Sequence, residues 1–148
     1  MNVISNSSPL IALSRINRLS VLKKLFGKIY IPDMVYKETV LQSNNSIQKE
    51  NIRKAIEDNF ITVEIPISNH SFSRTIDLGE RGVLNLAFDK RAALLLVDDK
   101  KARKEAKELG FKVIKTSTLL KYAAKRKFIT SYEKLVKELE NLQIYLPK

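Results

Sequence analysis

The stretch AALLLVDDKKARKEAKELG, residues 92 to 110, constrains the fold most. Ala93 to Val97 is an uninterrupted apolar run, too short for a helix, and it has no polar position to give to solvent. Such a run suits a central parallel strand that is covered on both faces. The polarity then changes abruptly. Lys100 to Leu109 reads as an amphipathic helix, with Ala102, Ala106 and Leu109 on its inner face and Gly110 as its stop. Phe111 to Lys115 reads as another strand. A buried strand, a helix and a second strand form a parallel crossover unit, so the chain needs helices on both faces of a sheet.

The remaining sequence repeats this alternation. Val3 to Ser5 is the first strand, and Ser7-Ser8-Pro9 reads as a helix start with Ser8 as cap. Leu10, Leu13, Ile16, Leu19, Leu22 and Leu25 keep helical spacing, with a break near Asn17 and a stop at Gly27. Lys28 to Ile31 is the second strand. Pro32 opens a helix through about Leu41, and a turn at Asn44-Asn45-Ser46 leads to a helix over Ile47 to Asp58. Phe60 to Ile67 alternates like a strand, with Pro66 favouring a sheet edge. A polar loop precedes a helix over Gly79 to Lys90. Ser117 to Lys127 and Ser131 to Leu142 close the chain as helices. The expected architecture is α/β: a three-layer α/β/α sandwich with a mostly parallel central sheet. A single domain over residues 1–148 is expected, because no linker, repeat or low-complexity tract divides the chain.

The chain has no cysteine, which excludes disulfides, thiolate metal sites and a Cys nucleophile. It has no apolar run of membrane-spanning length and no signal-peptide layout, so a soluble cytoplasmic protein is expected. The formal net charge of +11 draws polyanions such as nucleic acid. Charge alone fits a lysine-rich solvated surface equally well.

Several acids stand where apolar residues belong. On the helix from Pro32 the inward stripe runs Met34, Val35, position 38 and Leu41, and position 38 is Glu38. On the helix from Gly79 the stripe holds Val83, Leu84 and Ala87, and it also takes in Glu80. Asp98 and Asp99 end the most apolar strand, and Asn6 ends the first one. In parallel sheets, sites form at the carboxyl ends of the strands. If the first and fourth strands are neighbours, Asn6, Glu38, Glu80, Asp98 and Asp99 converge there. A buried carboxylate needs a partner or a metal, and an all-oxygen cluster suits Mg²⁺ or Mn²⁺. Each residue also has a plainer reading: a helix-surface acid for Glu38, a dipole partner for Glu80, a cap for the aspartates and a turn former for Asn6.

The order and spacing of these residues resemble a known family. VISNSSPLIALSRINRLSVLKKLFGKIYIPDMVYKE is similar to the opening of PIN-domain proteins, and more narrowly to the VapC-like group DUF3368. LGERGVLNLAFDKRAALLLVDDKKARKEAKELGFKV resembles that group's middle, and TSTLLKYAAKRKFI its closing helix. The resemblance covers nearly the whole chain. It implies a metal-dependent nuclease acting mostly on RNA, often the toxin of a toxin–antitoxin pair and often a homodimer. It assigns metal binding to Asn6, Glu38, Glu80 and either Asp98 or Asp99, with the four acids catalytic. Asn6 stands where most PIN domains carry Asp. An amide oxygen can still ligate a hard cation, but without charge. That departure keeps a second expectation open: a catalytically weakened RNA- or protein-binding module.

Lys100, Lys101, Arg103, Lys104 and Lys107 crowd the helix after Asp99, with Arg81 and Lys90 on the neighbouring helix. They form either a solvated face or a phosphate-contacting edge, in which Lys100, Lys101, Lys104 and Arg81 lead. His70, in the polar loop, is not expected to act as a general base. Leu119, Leu120 and Tyr122 suit either a dimer interface or the core. A phosphate-accepting receiver domain is a third reading, but it expects its acidic pair after the first strand.

Overall fold

The computed structural model describes residues 1–147. Five strands form one sheet: β1 (Val3–Ser5), β2 (Ile29–Pro32), β3 (Ile61–Glu64), β4 (Leu94–Leu96) and β5 (Val113–Ile114). Their order is β3-β2-β1-β4-β5, and every pairing is parallel. Eight helices connect and cover them: α1 (Ser7–Arg15), α2 (Ser20–Phe26), α3 (Asp33–Tyr36), α4 (Ser46–Glu57), α5 (Leu78–Lys90), α6 (Lys100–Glu108), α7 (Thr116–Lys125) and α8 (Tyr132–Asn141). This is the α/β architecture expected from the alternation of strands and helices.

The apolar run is covered on both faces only over its second half: Ala93 is exposed, Leu94 is half-buried, and the strand begins at Leu94. Leu95, Leu96 and Val97 are all buried, although successive side chains point to opposite faces. Val3 and Ile4 are equally buried on β1. The chain winds outward from β1 to β2 and β3, then returns across the sheet to β4 on the other side of β1. That reversal makes the gap between β1 and β4 a topological switch point, where a crevice opens at the carboxyl ends. Receiver domains carry the order 2-1-3-4-5. The strand order here differs, and Asn6 rather than an acidic pair follows β1, so the receiver reading is set aside.

Several local expectations are corrected. α1 begins at Ser7 with Asn6 in the cap position, and no side chain caps it. Ser8 lies inside the first turn and is exposed. Pro9 is still tolerated, because first-turn N–H groups have no helical partner to lose. The helical stripe does break at Asn17, which takes a left-handed backbone at φ 57°. β3 stops at Glu64, well short of Ile67, and it is an edge strand. Leu109 is 38% exposed, so it does not complete the inner face of α6; Glu105 is buried there instead. Leu119 and Leu120 belong to the core, while Tyr122 is exposed. Among the described residues, no helix is long and apolar enough to cross a membrane.

The largest local surprise follows Pro32. After α3 the chain passes into a π-helical turn over Lys37–Leu41. The widened turn shifts the inward stripe by one residue. Val35, Thr39 and Val40 are buried, whereas Leu41 is 60% exposed. The π turn also turns the Thr39 carbonyl toward Gln48, whose buried Nε2 donates to it at 2.7 Å. A strict 3.6-residue period cannot show such a shift, and π turns of this kind often sit at functional sites.

Candidate functional site

The crevice is assembled from four strand and helix ends. Asn6 follows β1 directly and is buried, and its N–H donates to the Leu96 carbonyl of β4 at 2.9 Å. That bond fixes residue 6 at the switch point. The backbone of Asn6 is extended, and its side chain makes no capping bond to α1. The amide is therefore not engaged in the helix cap that its position would suggest.

Glu38 comes from the π turn and is half-buried. Its Oε2 accepts a hydrogen bond from Ser7 Oγ, at the start of α1, at 3.1 Å. Its carboxylate also lies against Gly79 in the first turn of α5. A β-carbon at residue 79 would stand 3.1 Å from Glu38 Cδ and would overlap Oε1. One turn later, a β-carbon at Gly82 would meet Pro32 Cβ at 3.1 Å. Two glycines on one face of α5 thus let this helix close onto the end of β2 and the start of α3. This close approach brings the first turn of α5 beside Glu38.

Glu80 sits in that first turn and is buried. Its Oε2 is buried without a hydrogen-bond partner, the only such side-chain atom among the described residues. Burial raises its pKa from 4.5 to about 7, helped by the negative charges of Asp77 and Asp99. Burial also raises the pKa of Glu38; the bond from Ser7 opposes this rise, and Asp77 adds to it. Asp77 is therefore the acid that both glutamates feel. Sequence reasoning had not placed it in the crevice. The signal was present as Asp77-Leu78-Gly79-Glu80, a capping-box spacing with an acid at each end. Its Oδ1 accepts from the Glu80 N–H at 2.8 Å and starts α5.

The two aspartates after β4 separate in role. Asp98 is buried, and both its oxygens are engaged. Oδ1 accepts from the Thr116 N–H at 2.7 Å, and Oδ2 accepts from Thr116 Oγ1 at 2.9 Å. Asp98 thereby ties the end of β4 to the start of α7. Asp99 is exposed; its Oδ2 caps α6 through the Ala102 N–H at 2.9 Å, and its charge reaches Glu80. Asp77, Glu80 and Asp99 thus share one side of the crevice, while Asp98 faces α7.

The segment before Asp77 is strapped to the helices. Asp89 on α5 accepts from the Ile67 and Ser68 N–H groups at 2.7 and 3.0 Å. Buried Glu105 on α6 accepts from Ser73 N–H and Oγ and pairs with Arg74 at 3.0 Å. Glu108 holds the other arm of Arg74 at 2.7 Å. His70 packs its ring on Phe88, with centroids 4.2 Å apart. It is a packing residue and lies outside the acid group.

Of the basic residues, Lys100, Lys101 and Lys104 are exposed on α6, immediately after Asp99. The Arg103 guanidinium turns back to the Asp98 carbonyl. Arg81 lies with its charge 6.0 Å from the Phe72 ring centroid.

All donors in the crevice are oxygens, which fits a hard divalent cation. The partnerless Glu80 oxygen is the group such a cation would satisfy. Among the described residues, no three or more His, Cys, Asp or Glu side chains are gathered tightly enough to hold a metal ion.

An all-parallel sheet whose strand order reverses between β1 and β4, with acids at the strand ends, defines a class of α/β domains. Residues 2–148 match the family DUF3368, described as a PIN domain, and the chain belongs to that family. Solved structures agree in fold. A PilT N-terminus domain protein from the hyperthermophilic archaeon Sulfolobus solfataricus P2 is similar at a TM-score of 0.59 and 20% identity, covering 83% of this chain and 93% of its own. A domain of a functionally unknown protein from Methanocaldococcus jannaschii DSM 2661 is similar at 0.52 and 22%, covering 76% and 89%. No curated protein matches the chain.

Proposed function

We propose that the crevice is the active site of a PIN-type endoribonuclease that works with Mg²⁺ or Mn²⁺. The observation that carries this reading is the partnerless, buried Oε2 of Glu80, among acids whose charges raise its pKa. A folded protein keeps such a group at a cost, and a cation recovers that cost. PIN domains are generally nucleases, which gives the cation a reaction to serve.

In this reading Glu38, Glu80 and Asp99 hold the cation, with Asn6 as a neutral fourth donor. Bound there, the cation would lower the pKa of a water and neutralise charge on the phosphate being cleaved. The residues around it have separate tasks. Ser7 orients Glu38 through its hydrogen bond, and Gly79 leaves room for that carboxylate. Asp77 fixes the start of α5 and so the position of Glu80. Asp98 is a positioning residue, holding α7 against the end of β4. Lys100, Lys101 and Lys104 supply cations for the RNA backbone beside the acids, with Arg81 as a further contact.

The test is cleavage of mixed RNAs by the purified protein with and without Mn²⁺, beside Glu80→Gln. Metal-dependent cleavage that the variant lacks supports the reading. RNA left intact at all metal concentrations overturns it. One observation favours a second reading: position 6 offers an amide where a carboxylate is usual. The protein would then bind RNA, or a protein, without cutting; binding without cleavage is the sign. The family likeness also supports a VapC-like toxin restrained by an antitoxin protein. Induced expression should then arrest growth, and Glu80→Gln should be harmless.

A further inference from the structure

One strand beyond the crevice lies a second feature. β5 pairs with β4, and strand neighbours stand about 4.8 Å apart. Lys115 follows β5, and from there a groove of about 510 Å³ runs between α7 and α8. Its walls include Lys115, Ser117, Lys121, Tyr132, Glu140 and Tyr145. Thr116, between the first two, is the residue that both oxygens of Asp98 hold. The groove is therefore fastened to the same strand end that carries Asp99.

Its chemistry is specific. Lys121 Nζ lies 5.2 Å from the Tyr132 ring centroid, which holds the ammonium on one wall. Tyr145 is 69% exposed, although an aromatic ring gains by burial. It is held there by the backbone. After α8, Gln143 takes φ 61°, and the Ile144 N–H returns to the Leu139 carbonyl at 2.9 Å, so the chain folds back along the groove. Two lysines face one acid, Glu140. A flat ring and paired cations match a nucleotide, which offers a π face and a phosphate. An acidic peptide would use the lysines but would leave the tyrosine without a partner.

Building on the nuclease reading, we propose that this groove binds one nucleotide of single-stranded RNA beside the cleaved phosphate. The base stacks on Tyr145, and the phosphate lies between Lys115 and Lys121. The groove thus sets the register of the strand across the acids, and it favours unpaired RNA, because a base inside a duplex has no free face to offer.

The experiment is binding of labelled oligoribonucleotides without divalent metal, which separates it from cleavage. Tyr145→Ala should weaken single-stranded binding about tenfold, and Tyr145→Phe should restore it. Lys121→Gln should reduce the steepness of the salt dependence by about one phosphate contact. Tyr122→Ala, on the same helix but outside the groove, should bind like the parent, and duplex binding should not respond to Tyr145→Ala. If the parent binds RNA and Tyr145→Ala binds equally well, the groove proposal is overturned and the nuclease reading stands. Equal losses in Tyr122→Ala and Tyr145→Ala overturn it too. Failure of the parent to bind any RNA without metal overturns the groove proposal, while the nuclease reading falls only if RNA also stays intact with Mn²⁺.

Discussion

The carboxylate of Glu38 occupies the space that a β-carbon on Gly79 would fill. Gly79 has an ordinary helical backbone, so the glycine is required by this close approach and not by its φ. Gly79→Ala should leave the fold intact, because alanine favours a helix and the displaced group is the end of a flexible side chain. The carboxylate must move, however, and Mn²⁺ affinity should fall about tenfold. Calorimetric titration with Mn²⁺ checks this; unchanged affinity would detach Glu38 from the cation.

Asp98 and Asp99 are adjacent, but they should fail differently. Asp98→Ala strands the Thr116 donors and should cost about 2 kcal/mol in a denaturant melt. Asp99→Asn keeps an α6 cap and should melt within about 0.5 kcal/mol of the parent. It should nonetheless lose metal-dependent cleavage. A stable Asp98→Ala protein would show that the tie to α7 is dispensable.

Glu80 gives the metal-free protein a particular pH response. Its pKa rises from 4.5 to about 7 on folding, so between those values the folded state holds more proton than the unfolded state. Stability from this group is full below about pH 4.5 and is lost as pH rises through about 7. Glu80→Gln should be more stable than the parent at pH 8, and it should lack this part of the pH dependence. Thermal melts from pH 5 to 8 in chelator make the comparison. Parallel curves for the two proteins would place Glu80 in water.

Asn6 sets how much charge the crevice carries. Asn6→Asp adds a carboxylate to a group in which Glu38 and Glu80 already have raised pKa values. Without metal it should melt lower than the parent. Added Mn²⁺ should then raise its melting temperature by more than it raises the parent's, because tighter binding stabilises the folded state by mass action. Equal Mn²⁺ shifts would move residue 6 out of the metal's reach.

Much of the fold can be read directly from residue order. The apolar run of Ala93 to Val97 has no polar position, which asks for cover on both faces, and an α/β sandwich follows; the structure gives that cover to Leu95, Leu96 and Val97 and leaves Ala93 exposed. Gly27 and Gly110 end helices where the chain needs φ of 76° and 92°. These are local signals, set by sterics and by period, and they survive without tertiary context. The family resemblance likewise follows from local order: an acid on the second helical segment, a Gly-Glu pair opening a helix and paired aspartates ending a strand.

Sequence alone does not separate Asp98 from Asp99, because both end the same strand. Thr116, 18 residues away, engages one and leaves the other at the crevice. Nor does the helical period show the π turn that moves Leu41 to the surface and Thr39 into the core. Asp77 reads as a simple cap until α5 closes on α3 and makes it the shared neighbour of Glu38 and Glu80. Residue types and their period determined the elements of this protein. Only the tertiary structure decided which of its acids meet, because that depends on strand order and on how closely two glycines let one helix approach another.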